Sequence, residues 1–406
     1  MILLKNTKII TPFSEIKDAF LVINNKTIYF IGNINRDTEE LEYFNKNSTE
    51  IIDLKGKIIV PGFIDIHTHG ALGKDYSDSP DLLKEDSTFR ATKGVTGFLP
   101  TIGAMVPPEK ILESASCLVN IIDEGVKGAK PLGINLEGPY LNPDCAGAAG
   151  PKNCSYEIDL NYIKRAKKIM GDKFKIITIA PELKNAMETI IYLRENDVVA
   201  SIGHTNADND TLDKAIRCGA NLVTHIYNTT PIPIQNVSGV FIPGANEYLL
   251  MRDELMAEVN CDYYAISVKP VVLKMLLKCK GANKTIIITD SFYSAGLDTN
   301  KKLYFPDGRE FYVKNGVNIQ VENNQLSGSA MTMDLSVKGM VKNGETSLKE
   351  AILMATYNPA LIININNKKG SIEVGKDADI TVIDEDLNIY ITIVEGSIKY
   401  KNIKKR

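Results

Sequence analysis

PGFIDIHTHG, residues 61–70, sets two of the chain's four histidines two positions apart, at the end of an apolar run that closes on glycine. Side chains at i and i+2 of a strand share a face, so His67 and His69 can reach one common target. The run is also the first of eight of similar build. The others are VTGFLPT (Val95 to Thr101), LGINLEG (Leu132 to Gly138), FKIITIAP (Phe174 to Pro181), VVASIGH (Val198 to His204), NLVTH (Asn221 to His225), LMAEVNCD (Leu255 to Asp262) and TIIITDS (Thr285 to Ser291), while the first begins as KIIVPGFIDIH. Short β-branched runs alternating with longer helical patterns mark βαβ units. Eight of them predict an α/β fold, a closed TIM-like (β/α)8 barrel, whose reactive groups gather at the C-terminal ends of the strands.

The flanks read differently. ILLKNTKII, AFLVINNKTIYFIG and IIDLKGKII near the start, and DADITVIDEDLNIYITIVEGSIKYK near the end, are short antiparallel strands with turns such as NNK and EGS between them. They predict a small β-sandwich domain formed from both termini, with residues 1–54 and 363–406 as its two parts and residues 55–362 as the barrel. LYFPDGREFYVKNGVNIQV (Leu303 to Val321) carries turn signals at Asp307-Gly308 and Asn315-Gly316 and reads as an insertion or a contributor to the small domain.

A chain of 406 residues, 44% hydrophobic and 24% charged, is long enough for one large domain and a small one. A formal net charge of -3 lacks the basic excess that nucleic acid or an anionic membrane rewards, so the expected partner is a small molecule. No run approaches the roughly 18 apolar residues of a membrane span, and the N-terminus lacks a secretory pattern; a cytoplasmic location is expected. Six cysteines without a CxxC pair suggest neither a disulfide framework nor a thiolate zinc site, and most are expected to be buried thiols.

All four histidines close predicted strands: His67 and His69 the first, His204 the fifth, His225 the sixth. Glu137 and Asp290 close the third and the eighth. Singly, each has an ordinary reading, as a core or capping imidazole, a salt bridge or a helix N-cap. Together at one mouth they read as a metal site, because a buried carboxylate needs a cation beside it. Imidazole and carboxylate without thiolate suit zinc or iron(II), with manganese or cobalt also compatible. Such an ion makes water acidic enough to act as a nucleophile, and Asp290 is the candidate acid/base. The implied chemistry is hydrolysis of an amide or similar acyl bond.

PGFIDIHTHG, GVTGFLPT, NLEGPYLNP, GHTNA, THIYN, IITDS, LSGSAMTMD and the C-terminal NPA with GSIEVGKDADI together resemble the N-acetylglucosamine-6-phosphate deacetylase family of amidohydrolases, over nearly the whole chain. The resemblance implies a metal-dependent hydrolase that removes the acetyl group from N-acetylglucosamine-6-phosphate or a related N-acetyl amino sugar. By position, Glu137, His204 and His225 hold the primary metal, and Asp290 is the acid/base. The HxH pair is a candidate for a second ion, giving one or two per subunit. Asn228 and the main chain at Thr229 hold the sugar phosphate, and Leu326, Ser327 and Gly328 form a loop over the sugar. Ala148 is a further expected substrate contact, and a homodimer is implied.

Three positions depart from that pattern. Asn236 stands where an arginine is expected to grip phosphate, Ala265 where a histidine faces the scissile carbonyl, and Ala149 where histidine or glutamine is frequent. A guanidinium gives phosphate two parallel charge-assisted bonds that asparagine cannot supply. Lys269 or Arg252 is the alternative source of a cation. The departures keep two other readings open: an amidohydrolase of an unphosphorylated amide, such as an N-acyl amino acid or cyclic amide, and a non-catalytic sugar-binding descendant.

Overall fold

The computed structural model describes residues 1–402 except 104, 156, 232–238, 241, 298–302 and 306–307. Eight parallel strands form the barrel: β1 (Phe63–Thr68), β2 (Val95–Gly103), β3 (Ile134–Glu137), β4 (Phe174–Ile179), β5 (Val199–Ile202), β6 (Leu222–Val223), β7 (Met256–Asn260) and β8 (Thr285–Ile288). Each pairs with the next from β1 to β8. The ring closes just past β8, at the mouth: the Asp290 amide donates to the His67 carbonyl at 3.0 Å, and the His69 amide to that of Ser291 at 2.8 Å.

Ile64 and Ile66 of β1, Leu99, Ile176, Val199, Leu222, Met256, Ile286 and Ile288 form one buried cluster. Seven of the eight strands contribute to it, so it lies inside the cylinder. Ala360, on the helix Tyr357–Ile362, and Ile363 join the same cluster and close that core. Above the apolar layer come hydroxyls, with Thr224 Oγ1 2.9 Å from Thr178 Oγ1 and 2.5 Å from Ser201 Oγ. The interior thus grades from apolar to polar toward the strands' C-terminal ends.

The termini build a second, eight-stranded sheet around its own core, which gathers Leu4, Leu21, Ile28, Ile380 and Ile391. One strand of this sheet comes from the run that also supplies β1. Ile58–Pro61 pairs with Ile2–Ile10 on one side and Ile380–Ile383 on the other. The chain then crosses to the barrel at Gly62, where a Cβ would fall 2.1 Å from the Thr96 side chain, so only glycine fits. The Leu303–Val321 patch joins neither body's main sheet. Leu303–Tyr304, Glu310–Lys314, Val317–Gln320 and Leu326–Ser329 make a separate four-stranded antiparallel sheet, which settles the choice in favour of an insertion. Its last strand returns to the mouth, where the Ser329 amide donates to the Asp290 carbonyl at 2.9 Å. No helix among the described residues is long and apolar enough to cross a membrane.

Candidate metal centre

Strand alternation delivers two of the carboxylates. With Met256 inward on β7, Glu258 and Asn260 follow it inward, whereas Asp290, two residues past the end of β8, has a left-handed backbone (φ 46). Glu137, next to the outward Leu136, points inward on β3. The histidines are out of phase on all three of their strands. Ile64 and Ile66 would turn His67 outward, but the register against β2 shifts between Asp65 and Thr68. On β5 and β6, Val199 and Leu222 predict outward positions for His204 and His225, whose left-handed backbones (φ 50 and 21) redirect them. Such conformations are costly for residues other than glycine and mark functional sites.

The side chains meet around Glu137. Its Oε1 lies 2.7 Å from His225 Nε2, 3.0 Å from His204 Nε2 and 3.6 Å from His67 Nε2; its Oε2 lies 3.1 Å from His69 Nε2. Asp290 Oδ1 is 3.5 Å from the same His69 nitrogen. The donor atoms form two overlapping groups, His67–Glu137–His225 and His67–His69–Asp290. Gly103 leaves room for them, since a Cβ there would stand 3.1 Å from the His69 ring.

This donor set fits a divalent cation. His204 Nδ1 is 2.9 Å from the Cys145 carbonyl, which only accepts, so Nδ1 carries the proton and Nε2 turns its lone pair to the centre. Glu258 receives His67 Nδ1 at 2.9 Å and fixes the same tautomer, and the buried His67 Nε2 has no hydrogen-bond partner. Metal-binding imidazoles are held in this way, by an acceptor on the far nitrogen. His204 Nε2 and His225 Nε2 are 3.2 Å apart, close to the roughly 3.3 Å between neighbouring ligands of a tetrahedral ion bound at about 2.0–2.1 Å. Protons act here as a cation does: burial opposes a charge on His67, yet the Glu258 carboxylate, then Glu137 and Asp290, raise it to about 10. Burial likewise opposes the charge on Glu137, but hydrogen bonds from His204, His225 and His69 hold it well below the usual carboxylate range.

The centre opens on a cavity of about 210 Å³ whose walls include Ala148, Ala149, Asn228, Thr229, Leu326, Ser327 and Gly328, with Met105 and Phe292 as its apolar side. Ala265 is buried but is not among the lining residues, and Asn236 lies outside the described residues. Neither alternative cation reaches the wall: Arg252 pairs with Asp213 and Glu254 at 2.9 Å each, and Lys269 donates to the Ala265 carbonyl at 3.0 Å. Sequence reasoning missed Glu258 and Asn260. A carboxylate inside the apolar run LMAEVNCD was the available signal for Glu258; an asparagine at a strand end carries none.

Residues 58–405 match the amidohydrolase family. The chain is 30% identical over 406 residues to N-acetylglucosamine-6-phosphate deacetylase of Bacillus subtilis, covering 98% of this chain and 97% of that protein. It is 30% identical over 359 residues to the Lysinibacillus sphaericus protein of the same name, covering 88% and 89%. The crystal structure of N-acetylglucosamine-6-phosphate deacetylase from Pasteurella multocida superposes with a TM-score of 0.85 at 28% identity, over 98% of this chain and 99% of that one. By its sequence over nearly its whole length, and by its fold, this chain belongs to the amidohydrolase family, within its N-acetylglucosamine-6-phosphate deacetylase branch.

Proposed function

We propose that the chain is a metal-dependent hydrolase that removes the acetyl group of N-acetylglucosamine-6-phosphate, giving the free amine and acetate. The observation that carries this is the meeting of four imidazoles around Glu137, with Asp290 beside them, where all but the fully buried His67 line one cavity. Glu137, His204 and His225 would hold the primary ion, zinc or iron; His67 and His69 are candidates for a second, with Glu137 turning one oxygen toward each set. A divalent cation bound there supplies Lewis acidity, which activates water near neutral pH and polarises an amide carbonyl.

The chain's own residues do the rest. Asp290 accepts a proton as water attacks the acetyl carbon, then delivers it to the amine nitrogen as the C–N bond breaks. Asn228, the Thr229 main chain and the Leu326–Gly328 loop position the sugar. Assembly as a homodimer and a cytoplasmic location belong to the same reading. Asp290→Asn should lower kcat by about a thousandfold or more with metal content unchanged; near-normal acetate release from that variant refutes the assignment.

One observation favours a second reading, hydrolysis of an unphosphorylated amide. No lysine or arginine occurs among the described lining residues, and none occurs anywhere from Ile226 to Met251. Acetate release from N-acetylglucosamine with and without its 6-phosphate, on protein of quantified metal content, decides between them. The main reading expects the phosphorylated sugar to react faster.

A further inference from the structure

Asn260, at the end of β7, is buried to 4% exposure and does not line the cavity. Its Nδ2 donates to Asp290 Oδ2 at 3.0 Å and to Asn228 Oδ1 at 3.2 Å. Chemistry fixes the direction of this chain. A carboxylate only accepts, so Asn260 must present its NH2 to Asp290. With that NH2 spread over both neighbours, Asn228 must present its oxygen to Asn260, and its own NH2 is turned away, toward the Ser267 carbonyl at 3.4 Å. One side chain therefore sets two others. It engages Asp290 Oδ2, leaving Oδ1 to face His69, and it selects which end of the Asn228 amide meets the cavity. The Asn260 Oδ1 has no hydrogen-bond partner among the described residues, so the polar contacts of this side chain are those of its NH2.

We propose that Asn260 is a positioning residue for the reaction, orienting the Asp290 carboxylate and the Asn228 amide through one shared NH2 group. This rests on Asp290 being the acid/base.

Asn260→Leu keeps the volume and removes the donor; Asn260→Ala removes the donor but leaves space for a water to donate in its place. The expected result is a roughly ten- to hundredfold fall in kcat for the leucine variant, a smaller fall for alanine, and a few-fold rise in KM in both. Metal content by elemental analysis stays at the wild-type value. A merely structural role gives the opposite order, because alanine leaves the larger void. If the leucine variant fails to fold, Asn260→Met, also donor-free and more flexible, replaces it with the same expectation. A leucine (or methionine) variant within threefold of wild-type kcat, an alanine variant slower than it, or a loss matched by lost metal overturns the inference. Asp290→Asn measured alongside separates the failures: an active Asp290→Asn enzyme sinks the reading of the site, whereas an inactive one beside a normal leucine variant sinks only the role of Asn260.

Discussion

Two buried clusters of charge adjoin the first barrel strand, one on each side of it, and they are neutralised differently. Behind β1, Asp65 and Asp86 face Arg90 at 3.2 and 2.6 Å. The same guanidinium donates to Thr68 Oγ1 at 2.5 Å and Ser291 Oγ at 3.2 Å, and the Tyr76 hydroxyl donates to Asp86. In front of β1, Glu137, Glu258 and Asp290 face imidazoles and no lysine or arginine among the described residues, with a buried nitrogen on His67 that has no hydrogen-bond partner there. The first cluster carries its own permanent cation. The second is made of groups that accept a proton or a metal ion. Buried carboxylates alone therefore do not mark a reactive site; what separates the two is whether the chain supplies a fixed positive charge.

The contrast is open to test at several scales. Arg90→Met strands two buried carboxylates and should cost about 3–5 kcal/mol, seen as a large fall in Tm by calorimetry that added metal does not restore. Glu258→Gln weakens the grip on His67 and should lower metal affinity about 10–100-fold in competition with a chelator, with a much smaller effect on Tm once metal is saturating. An equal loss of Tm in both variants would erase the distinction between the clusters. The subtlest effect is on pH. In metal-free protein, His67 is raised from its ordinary 6.5 to about 10, so the stability its charge provides is complete below about pH 6.5 and is lost as pH rises through about 10. Metal-free Tm should therefore decline from pH 7 to 10, whereas metal-loaded protein, whose imidazoles bind as neutral ligands, should decline less.

Most of the architecture was legible because each barrel strand is a bounded apolar run and each half of the terminal sheet has its own turn signals. The join was harder to see. KIIVPGFIDIH reads as one strand although it serves two sheets, and Pro61-Gly62 was the only punctuation. At the mouth, Glu137 could be read from the alternation of its strand, and Asp290 only from its place just after an apolar run, since its own backbone is left-handed. The inward turn of His204 and His225 could not, because it depends on left-handed backbone set by neighbouring loops. Their number and their common place at strand ends were the only guide. Glu258 and Asn260 stayed hidden because their roles consist in what they hold, and contact between β1, β7 and β8 is not a property of any local stretch.

The strand Ile58–Pro61 waits for Ile380–Ile383, its partner several hundred residues later in the sequence. At synthesis rates of about 5–20 residues per second, the emerging polypeptide leaves that edge bare for tens of seconds. Bare edges recruit one another. While still on the ribosome, this protein is thus exposed to mispairing between neighbouring nascent copies, and its yield in cells should depend on chaperones more than the stability of the finished fold would indicate.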